Sequence, residues 1–263
     1  MDLGLRGKVA LVAAASKGLG RAIAEELGAE GASLVICARG NAALEETRAS
    51  IVAATGADVV SVIADVSVSS DVDNVVTTAI DRFGRIDILV TNAGGPPSGP
   101  FESLTPEMWD AAVRLTLMSA VNLARGVLPG MRERKWGRII NVTSIAVKQP
   151  VNGLMLSNSV RSAVTGFART LANEVAPFGI TVNNILPGYT RTDRVEELAT
   201  AIAGREAVSV GDALGRWEAE IPMGRLGEPR ELAALAAFLA SERASYITGS
   251  SIAVDGGWIK GLL

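Results

Sequence analysis

The chain has 263 residues, of which 48% are hydrophobic and 4% aromatic, and its formal net charge is −3. This length and composition indicate a single α/β domain over residues 1–263 with a sizeable core, and they exclude a disordered chain. The sequence has no histidine and only one cysteine, Cys37. We therefore expect no metal site, no internal disulfide and no Ser/His/Asp triad.

The charge pattern also bears on possible partners. No basic cluster is dense enough to follow a nucleic acid, which favours a small-molecule ligand. The first eight residues lack the basic region and apolar core of a signal peptide, and no later apolar stretch is predicted to span a bilayer. These patterns predict a soluble, cytoplasmic protein with no nucleic-acid or membrane partner.

Short apolar runs alternate with helix-length segments along the whole chain. The runs cover residues 9–12, 34–38, 59–64, 86–91, 138–142, 180–186 and 251–254. This alternation predicts an α/β fold with a doubly wound parallel sheet of about seven strands flanked by helices.

A turn of small residues joins the first run to an alanine-rich amphipathic helix. Residues 13–20 read Ala-Ala-Ala-Ser-Lys-Gly-Leu-Gly. Gly18 and Gly20 leave room for a phosphate to approach the backbone, and the amides at a helix N-terminus can receive a pyrophosphate. We predict a dinucleotide-phosphate site at Ser16, Lys17, Gly18, Leu19 and Gly20. A turn that only packs the helix on the strand is the alternative.

The second strand ends at Arg39. An acidic residue at this position grips the ribose diol in nucleotide-binding sheets, whereas an arginine accepts a 2′-phosphate. Arg39, together with Lys17, therefore points to NADP(H). Two ordinary solvated charges would give the same pattern.

The next two strand ends carry further candidate ligand residues. Asp65-Val66 closes the third strand, and Asn92-Ala93-Gly94 closes the fourth before a glycine- and proline-rich loop over residues 95–100. Ligands bind at the carboxyl ends of central strands in such sheets. Each segment taken alone could equally be a turn.

Several motifs together give the chain a specific resemblance. They are the phosphate turn, Asp65-Val66, Asn92-Ala93-Gly94, residues 137–144, Pro187-Gly188 with Thr192, and the stretches 224–229, 246–249 and 255–257. Over nearly its whole length, the chain resembles the short-chain dehydrogenase/reductase family, and its layout is similar to that of the bacterial 3-oxoacyl carrier-protein reductases.

The resemblance implies a Rossmann-type fold, a homotetramer and a role for each motif. Asp65 and Val66 would lie near the adenine, and Asn92 near the cofactor ribose. Pro187, Gly188 and Thr192 would surround the nicotinamide carboxamide. Residues 106–134, 157–176 and the tail 258–263 would make subunit contacts in that tetramer. Residues 192–222 are long enough for one or two helices over the cleft, which we interpret as a lid; exposed helices with no gating role are the alternative.

The chain departs from this family at its catalytic positions. The family uses a serine, a tyrosine, a lysine four residues later, and an asparagine in the preceding long helix. An alignment without gaps places Ser144 on the serine, Thr116 on the asparagine, Ser157 on the tyrosine and Arg161 on the lysine. Ala14 stands where the first glycine of the phosphate turn usually lies.

These replacements change the available chemistry. A phenol titrates near pH 10 and a neighbouring ammonium lowers that value, whereas a serine hydroxyl has no comparable acidity. Arg161 keeps the positive charge and can donate to the nicotinamide ribose, but it cannot relay protons by deprotonating. Substitute donors are Lys148 if it is buried, Tyr189, or a bound water. Lys148 is otherwise a solvated loop charge, and Tyr189 a packing aromatic.

The sequence thus predicts an NADP(H)-dependent oxidoreductase that acts on a small-molecule carbonyl/alcohol pair. Ser144 would orient the substrate, Arg161 would hold the ribose, and Ser157 would have a polar or water-bridging role. The alternatives are a catalytically inactive NADP(H)-binding sensor or structural tetramer subunit, and a scaffold whose cofactor binding Ala14 has compromised.

Overall fold

A computed structural model describes residues 2–262 of the chain. Met1 and Leu263 lie outside the described residues. The strands are β1 (Val9–Ala13), β2 (Ser33–Ala38), β3 (Val59–Ile63), β4 (Ile88–Thr91), β5 (Gly137–Val142), β6 (Ile180–Pro187) and β7 (Ser251–Val254). They form one parallel sheet in the order β3-β2-β1-β4-β5-β6-β7. The prediction of a seven-stranded, doubly wound parallel sheet is confirmed.

Helices cover both faces of this sheet. They are α1 (Gly18–Ala29), α2 (Asn41–Thr55), α3 (Ser69–Phe83), α4 (Pro106–Ala112), α5 (Ser119–Arg134), α6 (Met155–Val175), α7 (Asp193–Glu206), α8 (Val210–Glu220) and α9 (Pro229–Ala240). A π-helix, Val113–Met118, joins α4 to α5 without a break.

The core has two layers because the central strands are buried on both faces. In β1, Ala10 and Val12 pack in the layer that holds α1 and α9 residues. Their neighbours Leu11 and Ala13 pack in the opposite layer, with residues of α3, α5 and α6. Alternate side chains of a strand point to opposite faces, which explains why the predicted strands appear as continuous apolar runs.

One helical stretch is apolar enough to be compared with a membrane span. By length and composition alone, the helical stretch 106–134 qualifies as a candidate membrane span. Its residues Leu123, Val127 and Met131 are buried against the sheet, as the side chains of a core helix are. The apolar character of this stretch is therefore accounted for by packing inside the fold.

The strand order places a crevice at the centre of the sheet. The chain runs outward from β1 to β3 and then returns to place β4 on the other side of β1. The connections after β1 and β4 therefore leave in opposite directions, and ligands of such sheets bind at this switch point. The phosphate turn and Asn92 both lie there.

Candidate functional site

The phosphate turn is a tight loop between β1 and α1. Ala14 has φ +50° and Gly18 has φ +58°, both in the left-handed region. A Cβ added at Gly20 would lie 2.2 Å from the Ala14 carbonyl oxygen and 2.9 Å from Asn92 Nδ2. The glycine is therefore required by the close approach of the backbone, and Asn92 lies beside the turn.

Ala14 adopts a backbone conformation that disfavours side chains. A left-handed conformation costs a residue with a Cβ about 1 kcal/mol or more relative to glycine. We expect Ala14→Gly to raise the free energy of unfolding by about 1 kcal/mol, equivalent to about 2–4 °C in melting temperature for a chain of this size. Thermal and urea unfolding of the two proteins would check this, and a less stable variant would contradict it.

The remaining residues of the turn differ in their exposure. The Ser16 carbonyl accepts a hydrogen bond from Thr47 Oγ1 at 3.1 Å, which ties the turn to α2. Leu19 is half-buried and packs against the core. Lys17 precedes α1 and forms an ion pair with Asp193, with 2.9 Å between Nζ and Oδ2. Lys17 thus supplies the positive charge of the phosphate turn.

The ends of β2 and β3 bring Arg39 and Asp65 to one edge of the crevice. Arg39 is exposed. The Asp65 carboxylate accepts hydrogen bonds from Ser67 N at 2.9 Å and Ser67 Oγ at 2.7 Å. Burial raises the pKa of Asp65, but these bonds and the charge of Arg39 outweigh it, so that the pKa lies below its usual value. Val66 is buried in the core beneath.

The segment after β6 faces the phosphate turn across the crevice. Pro187 ends β6, and Gly188 N donates to the Val254 carbonyl at 2.9 Å. A Cβ at Gly188 would lie 2.7 Å from Asp255 Cα. Thr192 Cγ2 lies 3.6 Å from the position of a Cβ at Gly18, so this segment and the turn form opposite walls. After β4, Ala93 is half-buried. Gly94 is exposed, and a Cβ built on it would have no atom within 4 Å, so the space around Gly94 is open.

Ser144 follows β5 and precedes a short 3₁₀ turn, Ile145–Val147. Its Oγ accepts a hydrogen bond from Ala146 N at 3.1 Å. A serine hydroxyl has one hydrogen to donate besides the lone pairs that accept. Since the main-chain amide occupies a lone pair, the hydroxyl hydrogen is left to point at a ligand.

Ser157 and Arg161 lie one turn apart near the start of α6. Ser157 is half-buried and Arg161 is 9% exposed. Arg161 Nη1 donates to the carbonyls of Val142 at 3.1 Å and Thr143 at 2.9 Å. The guanidinium thereby fastens α6 to the carboxyl end of β5.

Arg161 has an unusual electrostatic setting for a buried cation. It forms no ion pair with a carboxylate in the part of the chain that the structure describes. Burial lowers the pKa of Arg161 to about 10, and the positive charge of Arg194 adds to this effect. The described part of the site therefore holds a buried positive charge without a carboxylate partner, at the carbonyl of Thr143, the residue before Ser144.

Thr116 lies in the π-helix and faces the same region. Its Oγ1 is buried and, among the described residues, has no hydrogen-bond partner. A cavity of about 10 Å³ separates it from Arg161, and its lining includes Thr91, Asn92 and Thr143. This is about the space that one water molecule occupies. Two of the four predicted catalytic positions, Thr116 and Arg161, therefore line one cavity. The π-helix that carries Thr116 was not predicted from the sequence.

The two substitute proton donors have different surroundings. Lys148 is exposed, so the burial that a donor role requires is absent. The Tyr189 ring stacks on Trp217 with centroids 4.6 Å apart and meets Trp258 edge-on at 5.9 Å. Burial raises the pKa of Tyr189 to about 12, with a further contribution from Glu220. These observations favour a packing role for Tyr189.

We expect Tyr189→Phe to retain activity within about twofold, because stacking requires only the ring. Steady-state rates of both proteins with the same carbonyl substrate would check this. A loss of tenfold or more with unchanged melting temperature would instead assign the proton to the phenol.

The aromatic cluster also changes the interpretation of the tail. Trp258 is 7% exposed, and its Nε1 donates to Glu220 Oε2 at 3.1 Å. Trp258, the first residue of the predicted subunit contact 258–263, thus packs on α8 within its own chain, and the contact itself stays a prediction. Leu263, the end of that tail, lies outside the described residues.

The segment predicted as a lid does form two helices, α7 and α8.

The sequence interpretation missed two residues at this site, Asp193 and Arg194. Arg194 Nη2 donates to the Pro96 carbonyl at 3.2 Å, and Asp193 pairs with Lys17. The available signal was their position, since both directly follow Thr192 at the start of a predicted helix.

The strand order and the glycine turn at its switch point define a Rossmann-type nucleotide-binding fold. Comparison with known proteins identifies the family. A family model described as enoyl-(acyl carrier protein) reductase matches residues 13–259. The chain is 36% identical over 255 residues to 3-oxoacyl-(acyl-carrier-protein) reductase FabG from Vibrio cholerae, a match that covers 97% of this chain and 98% of that protein.

Two further relatives show the range of activities among similar proteins. D-beta-hydroxybutyrate dehydrogenase from Cupriavidus necator is 36% identical over 263 residues, covering 97% of this chain and 99% of the relative. The structure of L-sorbose reductase from Gluconobacter frateurii, complexed with NADPH and L-sorbose, superposes with a TM-score of 0.95 at 39% identity and covers all of both chains. The chain belongs to the short-chain dehydrogenase/reductase family.

Proposed function

We propose that this protein is an NADPH-dependent oxidoreductase that interconverts a small-molecule carbonyl and its alcohol, in the manner of the 3-oxoacyl reductases, with a non-standard active site. The observation that carries the proposal is the turn at Gly18 and Gly20, where the backbone packs so closely that no Cβ fits at Gly20. Such a turn leaves the amides at the start of α1 open to a pyrophosphate. Relatives described as reductases, one of them complexed with NADPH, support it.

The residues at the crevice fit an NADP(H) molecule. Lys17 and Arg39 provide two exposed cations for the 2′-phosphate. Asp65 and Val66 would flank the adenine and Asn92, Ala93 and Gly94 the ribose, while Pro187, Gly188 and Thr192 would hold the carboxamide. When bound, the cofactor supplies a hydride.

Ser144 and Arg161 would stabilise the reacting carbonyl. The free hydroxyl hydrogen of Ser144 donates to the carbonyl oxygen and fixes its position. As negative charge develops on that oxygen, the positive charge of Arg161 stabilises the charged oxygen. Because main-chain carbonyls already hold the guanidinium in place, it does not have to move when the reaction occurs. Its remaining N–H groups would hold the nicotinamide ribose.

The product alkoxide still needs a proton. Ser157 has no acidity comparable to that of a phenol, and Arg161 keeps its proton at neutral pH. Water would deliver the proton, held by Ser157 at the cleft and by Thr116 in the small cavity. We therefore propose a low turnover rate.

A second candidate function is a catalytically inactive NADP(H)-binding sensor or structural subunit. The observation that favours it is Arg161 Nη1, whose hydrogen bonds go to the carbonyls of Val142 and Thr143. A guanidinium used in this way stabilises the fold whether or not the protein turns over.

We also propose that the chain works as a cytoplasmic homotetramer, which its family resemblance supports. The exposed side chain of Met118 lies in the predicted contact segment 106–134, and the exposed side chain of Met155 begins α6, just before the predicted segment 157–176. Light scattering of the purified protein would measure the mass, and a monomer would contradict the proposal.

The proposed activity can be tested by following NADPH oxidation at high enzyme concentration against a carbonyl panel that includes an acetoacetyl thioester. We expect slow turnover of at least one carbonyl, and about 100-fold slower turnover by Ser144→Ala with unchanged NADPH affinity. Tight NADPH binding without turnover would support the inactive alternative. Absence of saturable NADPH binding would overturn both.

A further inference from the structure

An ion pair connects the two walls of the crevice. Lys17 Nζ lies 2.9 Å from Asp193 Oδ2, and the two side chains are 64% and 67% exposed. Lys17 precedes α1, whereas Asp193 is the first residue of α7. The hydrogen bond raises the pKa of Lys17 and lowers that of Asp193, so both groups stay charged at neutral pH.

The carboxylate of Asp193 is held at this place by its neighbours. Thr192 contacts the position of a Cβ at Gly18 at 3.6 Å. Arg194 Nη2 donates to the Pro96 carbonyl at 3.2 Å, in the loop after β4. Because Thr192 and Arg194 make these contacts on either side of it, Asp193 faces the phosphate turn.

Lys17 is also one of the two cations that we assign to the 2′-phosphate. Arg39, the other, has no ion-pair partner among residues 2–262. A 2′-phosphate therefore meets one available cation and one that is already paired with a carboxylate. NADH lacks this phosphate and leaves the pair undisturbed.

On the basis of the proposed NADP(H) binding, we propose that Asp193 is a specificity-determining residue, which competes with the 2′-phosphate of the cofactor for Lys17. The competition weakens the binding of NADPH relative to NADH. Exposed ion pairs contribute little to stability, so the effect on selectivity is modest. Removing the carboxylate charge frees Lys17 for the phosphate.

The test is a fluorescence titration with NADPH and with NADH of the wild type, Asp193→Asn, Lys17→Met and the double variant. We expect Asp193→Asn to lower the Kd of NADPH about two- to fivefold more than that of NADH, as the strength of an exposed pair allows. In the Lys17→Met background, Asp193→Asn should change both affinities by the same factor. Circular dichroism checks that each variant is folded.

Glu196→Gln is the matched control, because Glu196 lies one turn along α7 and forms no ion pair with Lys17 within the described chain. It should not change the ratio of the two Kd values. Equal effects of Asp193→Asn on both cofactors, or a selectivity change that persists without Lys17, would overturn this inference alone. If neither cofactor binds saturably to any variant, the proposed function fails and this inference fails with it.

Discussion

Replacing Gly20 with alanine should abolish measurable NADPH binding. The added Cβ would lie 2.2 Å from the Ala14 carbonyl oxygen and 2.8 Å from its carbonyl carbon. Both atoms belong to the backbone, so relief requires the turn itself to move. Hydrogen bonds to a charged group are worth about 1.5–3 kcal/mol each. Losing two of them at the pyrophosphate would raise the Kd at least about 100-fold.

The same substitution should reduce stability by about 1–3 kcal/mol, the usual cost of forcing extra volume into a packed site. Fluorescence titration and urea unfolding would measure the two effects separately. Gly215→Ala is the control, because Gly215 is exposed on α8, outside the predicted subunit contacts, with nothing within 4 Å of an added Cβ. That variant should bind normally and gain up to about 1 kcal/mol. Normal NADPH affinity in folded Gly20→Ala would mean that the turn receives no phosphate.

The sheet could be predicted because its signals are local. Each strand is buried on both faces, so it appears as an uninterrupted apolar run, and the alternation with helices specifies parallel pairing. Gly18 and Gly20 marked the phosphate turn for a similarly local reason, since a left-handed backbone at Gly18 and a close backbone approach at Gly20 both favour glycine. The ends of the strands then located the crevice.

The features that sequence interpretation missed depend on contacts between distant segments or leave the residue pattern unchanged. The π-helix Val113–Met118 changes the hydrogen-bond pattern by one residue within a helix whose composition stays helical. The sequence marks Ala14 only as the replacement of a glycine, and its left-handed backbone, with φ +50°, depends on the path of the whole turn. The stacking of Tyr189 on Trp217 arises only once α8 packs beside the segment after β6.

The roles at the catalytic positions could be predicted only as far as side-chain chemistry allows. The sequence predicts roles for Ser144, Ser157 and Arg161, and the structure places the last two one turn apart on α6. The hydrogen bonds of Arg161 to the carbonyls after β5 depend on the distance between a helix and a strand end, which no local pattern encodes. Those bonds explain how an arginine is accommodated at a position that the resemblance assigns to lysine.

The double variant Ser157→Tyr/Arg161→Lys should reduce carbonyls at least about 100-fold faster than the wild type, the usual contribution of a positioned general acid. A phenol at position 157 supplies an acidic proton, and an ammonium at position 161 lowers the pKa of that phenol. The lysine can still donate to the carbonyls of Val142 and Thr143, since an ammonium has three N–H groups. The fold should therefore tolerate the exchange.

The single variants separate acid chemistry from improved packing. Ser157→Tyr alone should gain less, because a guanidinium does not relay protons, and Arg161→Lys alone should gain nothing. Single-turnover NADPH oxidation with an acetoacetyl thioester measures all four proteins. Both variants that carry Ser157→Tyr should lose the rate they gained as pH rises through the pKa of the phenol, and the two proteins that keep Ser157 should show no such loss. If the wild type matches the double variant, a tyrosine and lysine are dispensable here and water supplies the proton. If only the double variant turns over, the scaffold binds cofactor and substrate, and the natural protein is a binding relative that lacks an acid.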